Sequence, residues 1–429
     1  MYWSKLDKKY VKNTTLVLMY FFRQKQILPY LLAALLVGIA SGSASALFLH
    51  LLDLATETRR AHPLLFWGLP LSGAFIGWIY YRYGQEVVRG NNQIIEKAHQ
   101  GGDYLSWKMA PLILLSTLLT HLVGGSAGRE GTAVQMGGAL ADQLNRLFRS
   151  VSVDRKTLMG MGVASGFAAV FGTPWAGLLF GIEVLSIRKS MWKTALLPMM
   201  LAAWIAHITC LLWGGEHTEY ALGPLVSFSV PSLGWSVLAG VAFGTTAWLF
   251  TATTRQMGHW WGKVGYPPLR PFLGGLVLMA IFLGWDTQQY AGLGVDQIVA
   301  AFTEIPDPWS WLIKLGLTAF TLGAGFKGGE VTPLFFVGAT LGSVLSGWIP
   351  LPVGLMAAMG FIAVFSGASH APMACIAMGV ELFGLPGLPF IGISSIVAYL
   401  VSGPTGMYSA QRPSWIKSIM NHYIPAKEF

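Results

Sequence analysis

Charge is scarce in this chain. Asp, Glu, Lys and Arg make up 11% of the 429 residues, against roughly 25% in a soluble domain, which excludes an ordinary water-soluble globule. Cysteine is scarcer still. Cys210 and Cys375 both fall inside apolar runs, so a disulfide framework and a cysteine-rich metal site are excluded and both read as small buried hydrophobes. Acidic residues are fewer than basic ones, leaving a net charge of +9. That surplus does not mark nucleic-acid binding, because it gathers at the ends of apolar segments. Lys5, Lys8, Lys9, Lys12, Arg23 and Lys25 precede the first long one, and Arg412, Lys417 and Lys427 follow the last. By the positive-inside rule both termini are expected in the cytoplasm, with Arg82, Arg89, Arg146, Arg149, Arg155 and Lys156 marking further cytoplasmic loops. The first residues carry too many charges, and too short an apolar core, for a cleaved leader. His121 and His370 stand alone in apolar segments without metal-like spacing, and no nucleophile accompanies them. An enzyme, a metal centre and a bound cofactor are therefore not expected.

What is abundant is apolar sequence and glycine. Hydrophobic residues reach 54% and mean hydropathy is +0.55. Apolar stretches at 29–52, 64–80, 109–123, 157–185, 194–213, 231–251, 271–284, 311–325, 331–348, 352–366 and 386–401 are each long enough to enter or cross a bilayer. Several are short or interrupted by Gly and Pro, which predicts broken and re-entrant helices beside full spans. The expected fold is an all-α, multi-pass membrane protein of the inner (plasma) membrane.

A motif occurs twice in that background. GSAGREGT at 125–132 is echoed by GFKGGEVT at 325–332, which matches Glu130 with Glu330, and PWAGLLFGIE at 174–183 is echoed by PMACIAMGVE at 372–381. An internal duplication that breaks apolar helices with glycine and places buried carboxylates at the breaks is the pattern of a transporter. The expected organisation is an amphipathic cytoplasmic segment at 1–26, a first membrane repeat at 27–212 and a polar connection at 213–230. A second repeat follows at 231–421 and a short cytoplasmic tail at 422–429, with no appended soluble domain. Whether the repeats are inverted does not follow from these boundaries alone.

The candidate residues sit at the breaks. After the glycines at 124–128 a new helix is expected near Glu130, and its unpaired N–H groups favour an anion or a carboxylate. Glu130 can thus compete with an anion for one position and yield it on protonation, or it can pair with Arg129 at a loop surface. At the second break, Pro333 fits a helix start, and the Thr332 hydroxyl can cap the helix or donate to an anion. Glu330 beside such a site is either a protonated donor or the salt-bridge partner of Lys327. Asn91, in Gly90-Asn91-Asn92, offers amide donors or makes an ordinary turn. Tyr408 is a pathway donor or an interfacial belt residue. Glu183 and Glu381 lie on a proton path or hydrogen-bond a neighbouring helix end.

These motifs resemble the CLC family of chloride channels and anion/proton antiporters over nearly the whole membrane region. The resemblance rests on Gly128-Arg129-Glu130-Gly131, on the Gly-Gly-x-x-x-Pro start at 328–333, on the Asn-containing motif at 90–94 and on Tyr408. It implies an inverted-repeat helical domain that forms a homodimer with one pore per subunit. It also implies Glu130 as the gating and proton-carrying glutamate, with Asn91, Gly128, Arg129, Gly131, Val331, Thr332 and Tyr408 at the anion and Glu330 as a second carboxylate. Four departures stand out. Asn91 occupies the family's chloride-selecting serine position, and Thr132 replaces a usual proline. Glu330-Val331-Thr332 stands where Ile-Phe-Ala is common, and Val184 takes the place of the inner proton glutamate. The set is similar to the fluoride-exporting branch, and the cytoplasmic CBS domains of many relatives are not expected. Fluoride, strongly hydrated and strongly accepting, requires compact donors of this kind in place of water. The implied function is fluoride/proton antiport; the alternative is chloride/proton antiport or a chloride channel on the same scaffold.

Overall fold

The computed structural model describes residues 27–148, 153–223, 226–285, 287–414 and 416–419. The predicted amphipathic segment at 1–26 and tail at 422–429 lie outside them. The described chain is helical: α1 (Ile27–Ala61), α2 (Leu69–Tyr83), α3 (Asn91–Gln100), α4 (Met109–Leu122), α5 (Glu130–Leu144), α6 (Arg155–Phe171), α7 (Pro174–Val184) and α8 (Trp192–Leu212) form the first half. The second half holds α9 (Val230–Gly262), α10 (Leu269–Gly284), α11 (Val295–Ala300), α12 (Ser310–Gly323), α13 (Val331–Leu345), α14 (Val353–Ser369), α15 (Pro372–Phe383) and α16 (Leu388–Val401). Four helical runs, Ile27–Ala61, Pro63–Tyr83, Lys189–Leu212 and Val230–Gly262, are long and apolar enough to cross a membrane. Most of the others are too short. A 15-residue helix such as α5 or α13 spans roughly 22 Å, less than the hydrocarbon core of about 30 Å. Such helices therefore end inside the protein, where their termini face buried groups.

The apolar stretch at 157–185 is two helices, not one. Gly172 takes a left-handed conformation (φ 73°) and closes α6, and Pro174 opens α7, an ordinary stop and start. The break reverses no polarity in the sequence, which is why a hydropathy window runs through it.

Close backbone packing gives the clustered glycines their reason. A β-carbon at Gly137 would run into the Gly162 carbonyl and one at Gly162 into the Gly137 carbonyl; Gly338 and Gly360 stand in the same mutual relation. In lipid, where burial of apolar surface between helices gains little, such approach supplies the packing. Between the halves sits an aromatic core. Phe335 stacks on Phe361 with centroids 3.9 Å apart, Phe167 stacks on Phe180 at 4.4 Å, and Phe171 meets Phe335 at 5.3 Å.

Two reciprocal contacts show the repeats to be inverted. At the C-terminal end of α7, the Glu183 carboxylate accepts the Met373 and Ala374 N–H groups at the start of α15 (3.1 and 2.8 Å). At the C-terminal end of α15, Glu381 accepts the Trp175 and Ala176 N–H groups at the start of α7 (2.9 and 2.8 Å). Each helix ends where its counterpart begins, so corresponding helices run antiparallel. Both glutamates therefore bond helix ends, the second of the two roles the sequence leaves open. Losing one removes two charge-assisted bonds from a helix N-terminus, so Glu183→Ala is expected to cost about 2 kcal/mol. Thermal unfolding in detergent checks this, with Glu381→Ala predicted to behave alike.

Candidate functional site

The glycine runs bring the first turns of α5 and α13 face to face. Gly128 N–H donates to Gly329 O (2.6 Å) and Gly329 N–H to Gly128 O (2.7 Å), an antiparallel bridge and the one β-pairing among the described residues. Only glycine fits there, because a β-carbon at Gly329 would lie 2.7 Å from Gly131 N. Two helix N-termini, each with unpaired N–H groups and a partial positive charge, thus point at one small volume. Opposed electropositive ends of this kind attract an anion.

Glu130 occupies that volume. It is buried, opens α5, and reaches across the bridge into the first turn of α13. Its Oε2 accepts Thr332 N–H at 3.0 Å and Arg129 N–H at 3.2 Å. Its Oε1 accepts the Thr332 hydroxyl and lies 3.6 Å from Arg129 Nε. The carboxylate does lie beside Arg129, but buried against the Thr332 N–H and hydroxyl and not at a loop surface. Thr332 lies within the first turn of α13 and does not cap it; its hydroxyl serves Glu130 instead. Val331 is buried in the same turn. Thr132 hydrogen-bonds the Thr117 hydroxyl (2.7 Å), tying α5 to α4.

Pairing the repeats through the bridge changes their register. Gly128 faces Gly329, and α5 starts at Glu130 while α13 starts at Val331. Glu130 therefore corresponds to Val331, and Glu330 falls one position earlier than the motif alignment places it. A one-residue step near a helix start turns the side chain by about 100°. Glu330 consequently does not enter the volume that Glu130 fills.

Glu330 instead lines a cavity of about 200 Å³ together with Asn91, Gly131, Tyr408, Gln135 and Lys327. It also borders a second cavity, of about 190 Å³, lined by Thr251, Thr254, Arg255 and Ser409. Among the described residues it has no ion-pair partner: Lys327 Nζ lies over the Tyr80 ring, 4.4 Å from its centroid. Asn91 opens α3 after Gly90 (φ 54°), and its amide nitrogen would be 3.2 Å from a β-carbon at Gly131. Neighbouring Asn92 accepts Ala410 N–H at 3.0 Å, and Met407 N–H donates to Ala368 O at 2.8 Å. These two bonds hold the segment that carries Tyr408, which is buried with its ring edge against Phe180. Arg129 lines a third and larger cavity, of about 650 Å³, with Asp53, Arg59, Glu216 and His217.

The site residues thus fall into three positions. Asn91, Gly131, Glu330 and Tyr408 line one cavity, Arg129 faces another, and Glu130 with Gly128, Val331 and Thr332 lies between them. Gln135 and Lys327 were not among the sequence candidates. A buried glutamine one turn beyond Glu130 was a usable signal, since intramembrane polar residues are seldom incidental.

Residues 72–403 match the voltage gated chloride channel family. The chain belongs to the CLC family. It is 46% identical over 416 residues to a chloride/fluoride channel protein of Pseudomonas syringae pv. tomato, covering 94% of this chain and 91% of that one. It is 27% identical over 391 residues to an H⁺/Cl⁻ exchange transporter of Cronobacter sakazakii, covering 84% and 83%. Among solved structures, a CLC-type fluoride/proton antiporter superposes with a TM-score of 0.86 at 35% identity, covering 90% of this chain and 98% of that one. A slow cyanobacterial Cl⁻/H⁺ antiporter superposes at 0.77 with 20% identity, covering 93% and 99%, a likeness of fold. The CLC fold, helical, multi-pass and membrane-embedded, is therefore established for this chain.

Proposed function

We propose that this CLC protein is a proton-coupled fluoride exporter of the inner membrane, working as a homodimer with both termini in the cytoplasm. The observation that carries the reading is the position of Glu130. A titratable carboxylate fills the seat formed by Thr332 N–H and the Thr332 hydroxyl, between a cavity lined by Asn91 and Tyr408 and one lined by Arg129. Ionised, Glu130 closes the anion path; protonated, it loses the charge that holds it against two electropositive helix ends, and an anion takes its place. With the N-terminus in the cytoplasm, α1 carries its Arg59–Arg60 end outward, so the larger cavity is the outer vestibule and the Asn91 cavity faces inward.

Fluoride selectivity is supported by the donors. Asn91 amide, Thr332 hydroxyl, Tyr408 phenol and backbone N–H groups are compact and strong, and a dehydrated fluoride requires such groups in place of water. The similarity to proteins named for fluoride points the same way. That Glu330 borders two cavities supports a role in handing a proton from one to the other beside the anion route. Buried Val184 leaves no carboxylate at the family's inner proton position.

Proteoliposomes loaded with fluoride or chloride, with proton movement followed in the same vesicles, test the reading. Fluoride efflux well above chloride efflux, accompanied by proton uptake, is the expected result. Equal or faster chloride efflux would transfer the protein to the chloride antiporters or channels on this scaffold.

A further inference from the structure

The cavity lined by Asn91 holds a cation that the Glu130 gate does not use. The charged residues on its wall are Arg89, Lys327 and Glu330. Arg89 is exposed and already paired, donating to Glu96 at 2.7 Å. Lys327 is not. It forms no hydrogen bond or ion pair with any described residue, and Glu330, the one acid on this wall, does not pair with it. Its Nζ lies over the Tyr80 ring, 4.4 Å from the centroid, and Tyr80 lines the same cavity.

An aromatic ring holds an ammonium through its quadrupole and leaves the charge intact, whereas a carboxylate would cancel it. Lys327 is therefore fixed at the wall of a space of about 200 Å³ with its charge unspent. Withdrawing a cation from water without a counter-charge is costly, and an anion beside it offsets that cost. Groups for the anion's near contacts line the same space, the Asn91 and Gln135 amides. A β-carbon at Gly131 would crowd the first amide at 3.2 Å, and one at Gly90 the second at 3.1 Å, so two glycines leave both amides room. Lys327 also stands just before Gly328-Gly329, which bridges to Gly128 and leads into the turn where Thr332 holds Glu130. The cation thus sits on the segment that joins this cavity to the gate.

We propose that Lys327 draws the anion into this cavity, and that with the Asn91 and Gln135 amides it forms a holding site for one small halide ahead of the seat of Glu130. The site rests on the exporter reading only for the direction of travel, which is from the cytoplasm toward the gate. Ammonium and amide N–H groups are compact donors, the kind that replace the water around fluoride. Lys327 sets how much halide reaches Glu130 and not how many protons accompany it.

Isothermal titration of the detergent-purified full chain with sodium fluoride and sodium chloride, at constant ionic strength, tests it. Lys327→Met keeps an unbranched chain against Tyr80 and removes the charge, so one halide-binding event is expected to weaken about tenfold or more. Repeating the titration at higher ionic strength, raised with sodium isethionate, should weaken the wild type more steeply than the variant, because screening acts on charge. A packing role for Lys327 would give both proteins the same salt response, and that result overturns the site. In proteoliposomes, the fluoride concentration for half-maximal efflux should rise by a similar factor in Lys327→Met, with the ratio of protons to fluoride unchanged. Unchanged halide binding in monodisperse Lys327→Met overturns the site. Should that variant not fold, Lys327→Gln carries the same comparison, and unchanged binding there overturns it. A wild type that binds no halide overturns it as well. Binding that depends on Lys327 in a protein that moves chloride as fast as fluoride refutes the exporter and leaves the site standing.

Discussion

Glutamine at position 130 is expected to reduce proton movement to the leak of protein-free vesicles. Glu130→Gln keeps the length of the side chain and one acceptor oxygen for Thr332, so the packing between α5 and α13 is preserved. What it removes is the titration. The bonds from Thr332 N–H, Arg129 N–H and the Thr332 hydroxyl are charge-assisted, worth about 1.5–3 kcal/mol each against about 1 kcal/mol for neutral ones. In the proposed mechanism a neutral amide therefore neither competes with an anion nor carries a proton between the two cavities. Glu130→Ala differs in a useful way. It clears the seat, so anion passage should persist without protons if the protein is an exchanger. Paired fluoride and proton recordings from one vesicle preparation check both variants. Full proton-coupled exchange in Glu130→Gln would mean that the exchanged proton travels by another group, with Glu330 the first to examine.

The membrane class, the duplication and the places where helices break are all legible in the residues, because each depends on local composition. The scarcity of charge states the class, and glycine runs beside a carboxylate mark where helices break. Features that depend on how two distant segments face each other are not legible in that way. The motif alignment puts Glu130 opposite Glu330, whereas the Gly128–Gly329 bridge puts it opposite Val331. Matching identical letters rewards the shared glutamate, but the fold matches helix starts, and these differ by one residue between the repeats. The inverted relation was hidden for the same reason. It is carried by Glu183 and Glu381 reaching the opposite helix start, and nothing in either segment names its partner 190 residues or more away.

Removing the Asp142 carboxylate is expected to be the most destabilising single change away from the gate. Asp142 is fully buried near the end of α5. It accepts Arg155 Nε at 2.6 Å and Arg155 Nη2 at 2.8 Å, and it accepts Leu105 N–H at 2.6 Å. Arg155 then donates to Gly102 O (2.7 Å) and Asp103 O (3.0 Å), while Gln143 donates to Leu105 O. One ion pair therefore fastens the whole connection between α3 and α4 onto α5 and α6. Asp142→Ala leaves a guanidinium and a backbone N–H without their acceptor. Stripping one partner from a buried pair costs about 3–5 kcal/mol, and Arg155, 19% exposed, recovers some solvation, so the lower end applies. In a chain of this length that is a fall of roughly 3–6 °C in the unfolding midpoint. The double variant Asp142→Ala with Arg155→Met should cost less than the two single changes added together, because the second removes the charge that the first strands. Additive losses would show instead that the two side chains stabilise separate parts of the fold. The same variant bears on transport, since α3 begins with Asn91 and Asn92 accepts the Ala410 N–H beside Tyr408. Loosening the α3–α4 connection frees the helix that brings these donors to the anion path. Asp142→Ala should therefore slow anion efflux while leaving the ratio of protons to anions unchanged, because Glu130 and Thr332 keep their contacts. A changed ratio would place Asp142 in the coupling itself.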